Sequence, residues 1–201
     1  PDVAPYAPDY LINYELGWKT TLAPGLRLNG AVYQQEWKKF QFSYLGANSF
    51  TEIHNGPDAR IKGVEMDLAY NQGGLALNVA GSYTDAKTTK NLCVIDDPTY
   101  ACVGAGNMIS APKGIRLPVT PKWKLSGTMR YTGEMGSAKP YGQVNVAYQS
   151  SARSDLRTAV YETFSGNVIS PAAQLGDLAE YATVNLALGA DFDRFTLELF
   201  V

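Results

Sequence analysis

The chain has 201 residues, 45% hydrophobic and only 18% charged, with 17 basic against 19 acidic side chains and a formal net charge of −2. That is too apolar and too lightly charged for a disordered segment, and long enough for one or two ordinary domains. It carries no basic stripe of the kind a nucleic-acid partner requires, and no uninterrupted apolar stretch near the ~18 residues of a membrane helix.

The chain starts Pro1-Asp2-Val3, with neither a basic start nor an apolar core behind it. No export signal is read there, and the expectation is a mature chain or a piece of a longer one. A first strand is expected over residues 11–22. Ile12, Tyr14, Leu16 and Trp18 share one face; Asn13, Glu15, Gly17 and Lys19 share the other. Ala23-Pro24-Gly25 turns the chain into a second strand running from Leu26 toward Phe42. Its parity breaks, because Leu26, Leu28 and Val32 agree while Tyr33 and Trp37 take the opposite face. Either a bulge shifts the register or the upper part leaves the apolar layer.

After a long connection, 43–58, the third strand covers 59–70. Val64, Met66, Leu68 and Tyr70 alternate there with Gly63, Glu65, Asp67 and Ala69. Two carboxylates on one face cannot point into hydrocarbon. Beyond Gly73-Gly74, Leu75, Leu77, Val79 and Tyr83 oppose Ala76, Asn78, Ala80, Ser82 and Thr84. Small polar residues inside and large apolar ones outside invert a soluble protein's arrangement. The longest connection, 87–119, holds both cysteines. Cys93 and Cys102 fit a disulfide in an oxidising compartment, and two free thiols that lie close are the other reading. Such a short ring would order the loop more than stabilise the fold.

The fifth strand follows Pro121, with Trp123, Leu125, Met129 and Tyr131 out and Lys124, Ser126, Thr128 and Arg130 in. The sixth sets Val144, Val146 and Tyr148 against Gln143, Asn145 and Gln149. The seventh, after the connection 150–177, sets Val184, Leu186 and Leu188 against Thr183 and Asn185. The eighth starts at Phe195, with Leu197, Leu199 and Val201 opposite Thr196 and Glu198.

Short turns at 23–25, 71–74, 132–138 and 191–194 thus alternate with the three long connections. A transmembrane β-barrel keeps its long loops on one end in this way. The fold expected is all-β: an antiparallel transmembrane barrel, with about eight strands in this chain. Aromatics sit near strand ends as two girdles would require: Tyr70, Tyr131, Tyr141 and Phe195 by the short turns, Trp37, Tyr83, Tyr148 and Tyr181 toward the long loops.

Four segments carry a family resemblance. Residues 13–19, NYELGWK, resemble the NYELGxK strand of TonB-dependent receptors. Residues 61–66, IKGVEM, resemble the IKGxE strand, and 116–123, RLPVTPKW, resemble the RLPxTPKxK approach to a strand. Residues 197–201, LELFV, look like the start of a late strand that usually continues into an Asn-Leu-Phe-Asp type sequence. The resemblance implies a barrel of about 22 strands around an N-terminal plug. This chain would supply the C-terminal portion of that barrel over 1–201, with the plug, the TonB-contacting segment and the final strand absent. It implies an outer-membrane active transporter in a Gram-negative bacterium, taking up a scarce nutrient, foremost a ferric siderophore or similar iron complex. Outer-membrane lipid, the protein's own plug and the TonB complex are the implied partners.

In that family, substrate meets the plug apices, the loops and the inward wall. The loop candidates are Tyr44, Asn48, Tyr100, Asn107, Arg153, Arg157, Tyr161 and Phe164, since arginine and aromatics suit an anionic, ring-bearing ligand. Packing of loop against loop is the competing role for each. Glu15, Lys19, Glu65, Asp67, Lys124 and Arg130 are expected to face the lumen or the plug. His54 is the only histidine and the cysteines lack metal-ligand company, so no enzyme, metal site or cofactor is expected. Asp85, Asp96 and Asp97 lack the regular spacing of a calcium loop. Two other readings remain open: a self-contained eight-stranded membrane barrel acting as adhesin, anchor or pore, and a soluble lipocalin-like barrel. The last would turn Leu68, Leu77, Val146 and Leu186 inward.

Overall fold

The structure is a computed structural model of the chain, described for residues 6–45, 51–161, 168–171 and 176–201. Eight long strands make one sheet: β1 (Tyr10–Ala23), β2 (Leu26–Lys38), β5 (Ala59–Gln72), β6 (Leu75–Thr88), β9 (Trp123–Thr132), β10 (Lys139–Gln149), β15 (Tyr181–Asp191) and β16 (Thr196–Phe200). The long connections hold short two-stranded pieces. These are β3 (Gln41–Leu45) with β4 (Thr51–Asn55), β7 (Leu92–Cys93) with β8 (Ile109–Ala111), β11 (Ala152–Arg153) with β14 (Asp177–Leu178), and β12 (Ala159–Tyr161) with β13 (Val168–Pro171).

The main sheet has the order β1-β2-β5-β6-β9-β10-β15-β16, a pure antiparallel meander. β1 and β16 stand at its two ends, so the sheet is open. The fold is therefore the all-β antiparallel sheet of eight strands expected from the alternation, and it is open, as the family resemblance implies for an arc of a larger barrel. Two turns show why glycine punctuates it. Gly25 and Gly74 have φ of 74° and 80°. A Cβ on either would also overlap the Asn71 or Thr132 carbonyl oxygen of the next hairpin.

Reading the pairing across the sheet gives clean rows. Leu16–Val32–Val64–Tyr83–Trp123 is one, and Leu26–Tyr70–Leu77–Met129–Val144–Leu186 is another. Both belong to the apolar face, where six of these eleven side chains are exposed and none is buried. The alternating rows are polar. Ala31–Glu65–Ser82–Lys124–Gln149–Tyr181 and Lys19–Asn29–Asp67–Ala80–Ser126 belong to that second face.

The register of β2 against both neighbours is unbroken from Leu28 to Trp37. No bulge lies there. Tyr33 and Trp37 stand on the polar face, and the outward face above Val32 turns polar at Gln34 and Glu36. Tyr141 and Tyr181 also stand on the polar face, opposite Gly189 and Gln149. Together with Trp37 they leave the expected girdles, whereas Tyr70, Tyr83, Tyr131 and Tyr148 keep the outward side.

The buried core is not between layers of sheet. Phe40, Ala59, Ala86, Ala111, Leu117 and Leu156 form it, with Trp37, Phe42, Ile61, Leu92 and Ile115 packed against it. These residues come from all three long connections and from the strand ends below them. Ala59 and Ala86 project on the polar side, so the connections lean over that side of the sheet.

Candidate functional site

The polar face is hollow. A cavity of about 960 Å³ runs across it from β1 to β15, lined among others by Glu15, Lys19, Glu65, Lys124, Gln149 and Tyr181. A smaller one of about 310 Å³ lies nearer the short turns, against Asp67, Asn78, Thr128, Asn145 and Asn185. Asp67 accepts a hydrogen bond from Asn29 Nδ2 at 2.7 Å, and Glu15 one from Asn13 Nδ2 at 3.2 Å. Glu65 and Lys124 share a row but stand two strands apart, about 10 Å at the usual strand spacing. Among the described residues, Glu15, Lys19, Glu65, Asp67 and Lys124 enter no ion pair. They offer free charge of both signs to whatever occupies the hollow.

Arg130 differs from them. Its guanidinium lies 3.5 Å from the Tyr141 ring centre, and Nη2 reaches Asp191 Oδ2 at 3.3 Å. Tyr141 donates its hydroxyl to Glu198 Oε2 at 2.5 Å. Arg130 is thus spent on tying β9, β10, β15 and β16 together near the short turns.

The loop candidates among the described residues do not converge on one pocket, and none of those lines either cavity. Tyr44 is in β3 opposite Glu52, and Tyr161 is in β12 opposite Val168. Asn48 and Phe164 lie outside the described residues. Tyr100 is half-buried beneath the Lys90 ammonium, 4.2 Å from its ring centre. Asn107 Oδ1 accepts from the amides of Ile95 and Met108, both at 3.0 Å. Cys93 and Cys102 are disulfide-bonded beside it, with Cα atoms 5.1 Å apart. Arg153 donates to the carbonyls of Asp155 and Arg157, and Arg157 pairs with Asp155 at 2.8 Å. Burial disfavours the Asp155 charge, but Arg157 and the local amides outweigh it, and the carboxyl lies below its ordinary value. In Tyr100, Asn107, Arg153 and Arg157 the observed contacts serve loop architecture.

The residue that sequence reasoning passed over is Asp58. It is buried at 6% exposure beneath the connections. Lys90 Nζ lies 3.1 Å and Lys38 Nζ 3.4 Å from Oδ2, and the Lys39 amide donates to Oδ1 at 3.1 Å. Its carbonyl accepts from both the amide and the hydroxyl of Thr89. Burial opposes its charge, and these donors together hold the carboxyl below its ordinary value. Further bonds stitch the connections. Leu117 N donates to Ala86 O at 3.0 Å, Val119 N to Arg153 O at 2.8 Å, and Thr158 N to Ser110 O at 2.8 Å.

The family model described as TonB dependent receptor-like, beta-barrel matches residues 4–201. No curated protein matches in sequence. Solved structures that resemble the chain include the ferric yersiniabactin uptake receptor FyuA of Yersinia pestis. It has 15% identity and a TM-score of 0.63 over 96% of this chain and 24% of that one. The siderophore receptor PiuA of Acinetobacter baumannii has 15% identity and a TM-score of 0.61, over 94% of this chain and 23% of its own. The copper transporter OprC has 14% identity and a TM-score of 0.58, over 98% and 25%. At such identities the likeness is one of fold, and this chain spans about a quarter of the length of each.

Proposed function

The chain belongs to the TonB-dependent receptor β-barrel family, and we propose that it is part of the wall of an outer-membrane transporter in a Gram-negative bacterium. In this reading the transporter takes up a scarce nutrient, foremost a ferric siderophore or a similar iron complex, with energy delivered through TonB. The wall supplied here is the C-terminal portion of the barrel, and the plug and the TonB-contacting segment belong to the rest of the protein. The observation that carries the reading is the division of the sheet, on a chain matched from residue 4 to 201, into an apolar outward face and a hollow polar one.

A lipid-facing surface must be apolar because no water is there to solvate charge, while a plug-filled lumen must be polar on both sides of the contact. The free charges of Glu15, Lys19, Glu65, Asp67 and Lys124 suit such a contact. A soluble lipocalin-like barrel needs Leu68, Leu77, Val146 and Leu186 in the hollow, and they stand on the opposite face. A self-contained barrel needs β1 paired with β16, and those strands are the two ends of the sheet. Iron is favoured over other cargo because FyuA is a ferric yersiniabactin uptake receptor and PiuA a siderophore receptor, although OprC, a copper transporter, shares the fold.

The test is uptake. Cells carrying the full gene should accumulate ⁵⁵Fe from siderophore-loaded medium, and deletion of the gene or of TonB should abolish that uptake. Equal accumulation with and without the gene, across a panel of catecholate, hydroxamate and mixed siderophores, would refute the iron assignment.

A further inference from the structure

This inference rests on the outward apolar face being bilayer-facing. Directly above the row Leu16–Val32–Val64–Tyr83–Trp123 that face changes character. The next row is Gln34–Lys62–Asp85, and the one after it is Glu36–Arg60–Lys87–Arg116. Four cations there meet two carboxylates. Arg60 Nε lies 2.6 Å from Glu36 Oε1, and Lys87 Nζ 2.9 Å from Asp85 Oδ1. Lys87 Nζ also donates to Asp85 Oδ2 at 3.0 Å, while the buried Oδ1 accepts no hydrogen bond among the described residues. Among the described residues, Arg116 Nη1 meets the Ser151 carbonyl alone, at 3.4 Å. Lys62 is exposed and has no partner among the described residues.

We propose that this collar docks the phosphate-bearing headgroup of a lipid in the leaflet on the long-loop side. Three observations meet in it. The first is height: the Tyr83 and Trp123 rings pack at 4.7 Å at the top of the apolar rows, where amphipathic rings mark the edge of the hydrocarbon. One strand repeat higher lies the headgroup layer. The second is sign and chemistry. A surplus of two positive charges, with guanidinium groups among them, matches an anionic phosphate, which takes several charge-assisted bonds at once. The third is locality. In the same rows β1 presents Tyr14 and Ile12, so the collar is confined to β2, β5, β6 and the segment at Arg116 and does not ring the sheet. A phosphate also leaves the two internal pairs in place, since it needs only the spare donors of Lys62, Arg116, Arg60 and Lys87.

The experiment uses the full-length protein in neutral detergent, titrated with bis-phosphorylated lipid A and with its dephosphorylated form, and counted by native mass spectrometry. The phosphorylated lipid should bind at least tenfold more tightly. Lys62→Gln with Arg116→Gln should weaken it about twentyfold, on the order of fivefold per cation at a charged lipid surface. Lys113→Gln, which alters an exposed loop cation outside the collar, should leave binding unchanged. Inorganic phosphate at the same concentration should not displace the lipid. Equal binding of the two lipids, or an unaltered affinity in the double variant, overturns the proposal. Both proteins are also inserted into neutral phosphatidylcholine vesicles. Wild-type protein that fails to insert overturns the membrane-barrel reading itself, whereas insertion without phosphate preference overturns the collar alone.

Discussion

At several positions a glycine exists because an aromatic ring lies on it. Trp18 covers Gly30, Tyr33 covers Gly63 and Tyr141 covers Gly189, each from the neighbouring strand, and a Cβ at any of these glycines would collide with the ring. On the polar face this frees the phenol to find a partner. Tyr33 meets Thr84 Oγ1 at 3.1 Å and Tyr141 meets Glu198. Gly189→Val should displace the Tyr141 ring, break its bond to Glu198 and its stacking on Arg130, and lower the urea midpoint of the full protein. Tyr141→Phe, which keeps the ring, should lower it less, and equal losses would count against this account. Asp58 makes a second residue-scale case. Asp58→Asn should cost about 1–2 kcal/mol of loop stability, the size of a buried charged hydrogen bond discounted for half-exposed lysines. Because its folded-state value lies below the ordinary ~3.9, its contribution is complete above that pH and is lost as pH falls through the lowered value. Protease protection of the long connections should therefore fade below about pH 4 and stay level between pH 5 and 8.

At the scale of the strand, face decides tolerance. Leu68 pairs with Leu28 and Val79 at the middle of the outward face, and Ala80 pairs with Asp67 on the hollow side. Leu68→Lys should cost about 2–4 kcal/mol, the depth-dependent cost of a cation at mid-bilayer. Ala80→Lys should be tolerated beside the Asp67 carboxylate, and heat-modifiable mobility on gels would separate the two. Alternation made the eight strands and their faces legible, because a period of two survives whatever the neighbours are. It did not explain Trp37, Tyr141 and Tyr181, where aromatic character suggested a girdle and parity assigned the hollow side. Parity was the better guide. The same period put Glu15, Lys19, Glu65, Asp67 and Lys124 on one face, but it carried no sign of whether they pair with each other. The loop contacts were not legible, since Asp58 and Thr158 meet partners 19 to 48 residues away and Leu156 shares a cluster with Phe40 from the first connection, with no local period to announce them. The short strands inside the connections were hidden likewise.

Across the whole molecule, stability is concentrated where the sheet is not. Most strand side chains stand partly or fully exposed on both faces, Tyr141 and Ala187 being buried exceptions, and among the described residues the buried cluster sits among the three connections above the hollow. Leu156, 2% exposed, comes from the third connection and packs with Phe40 of the first and Leu117 of the second. Leu156→Ala should cost about 2–5 kcal/mol. Hydrogen exchange should quicken in 39–58 and 88–118 as well as around 156, and a response confined to the third connection would refute a shared core. The stitching also has an immunological side. On the proposed outer-membrane reading, this part of the wall shows to the outside a mosaic drawn from three distant stretches of chain. Antibodies raised against a peptide from any one stretch should bind the intact surface poorly, while sera against the folded protein should lose recognition together when the mosaic is loosened from a single point.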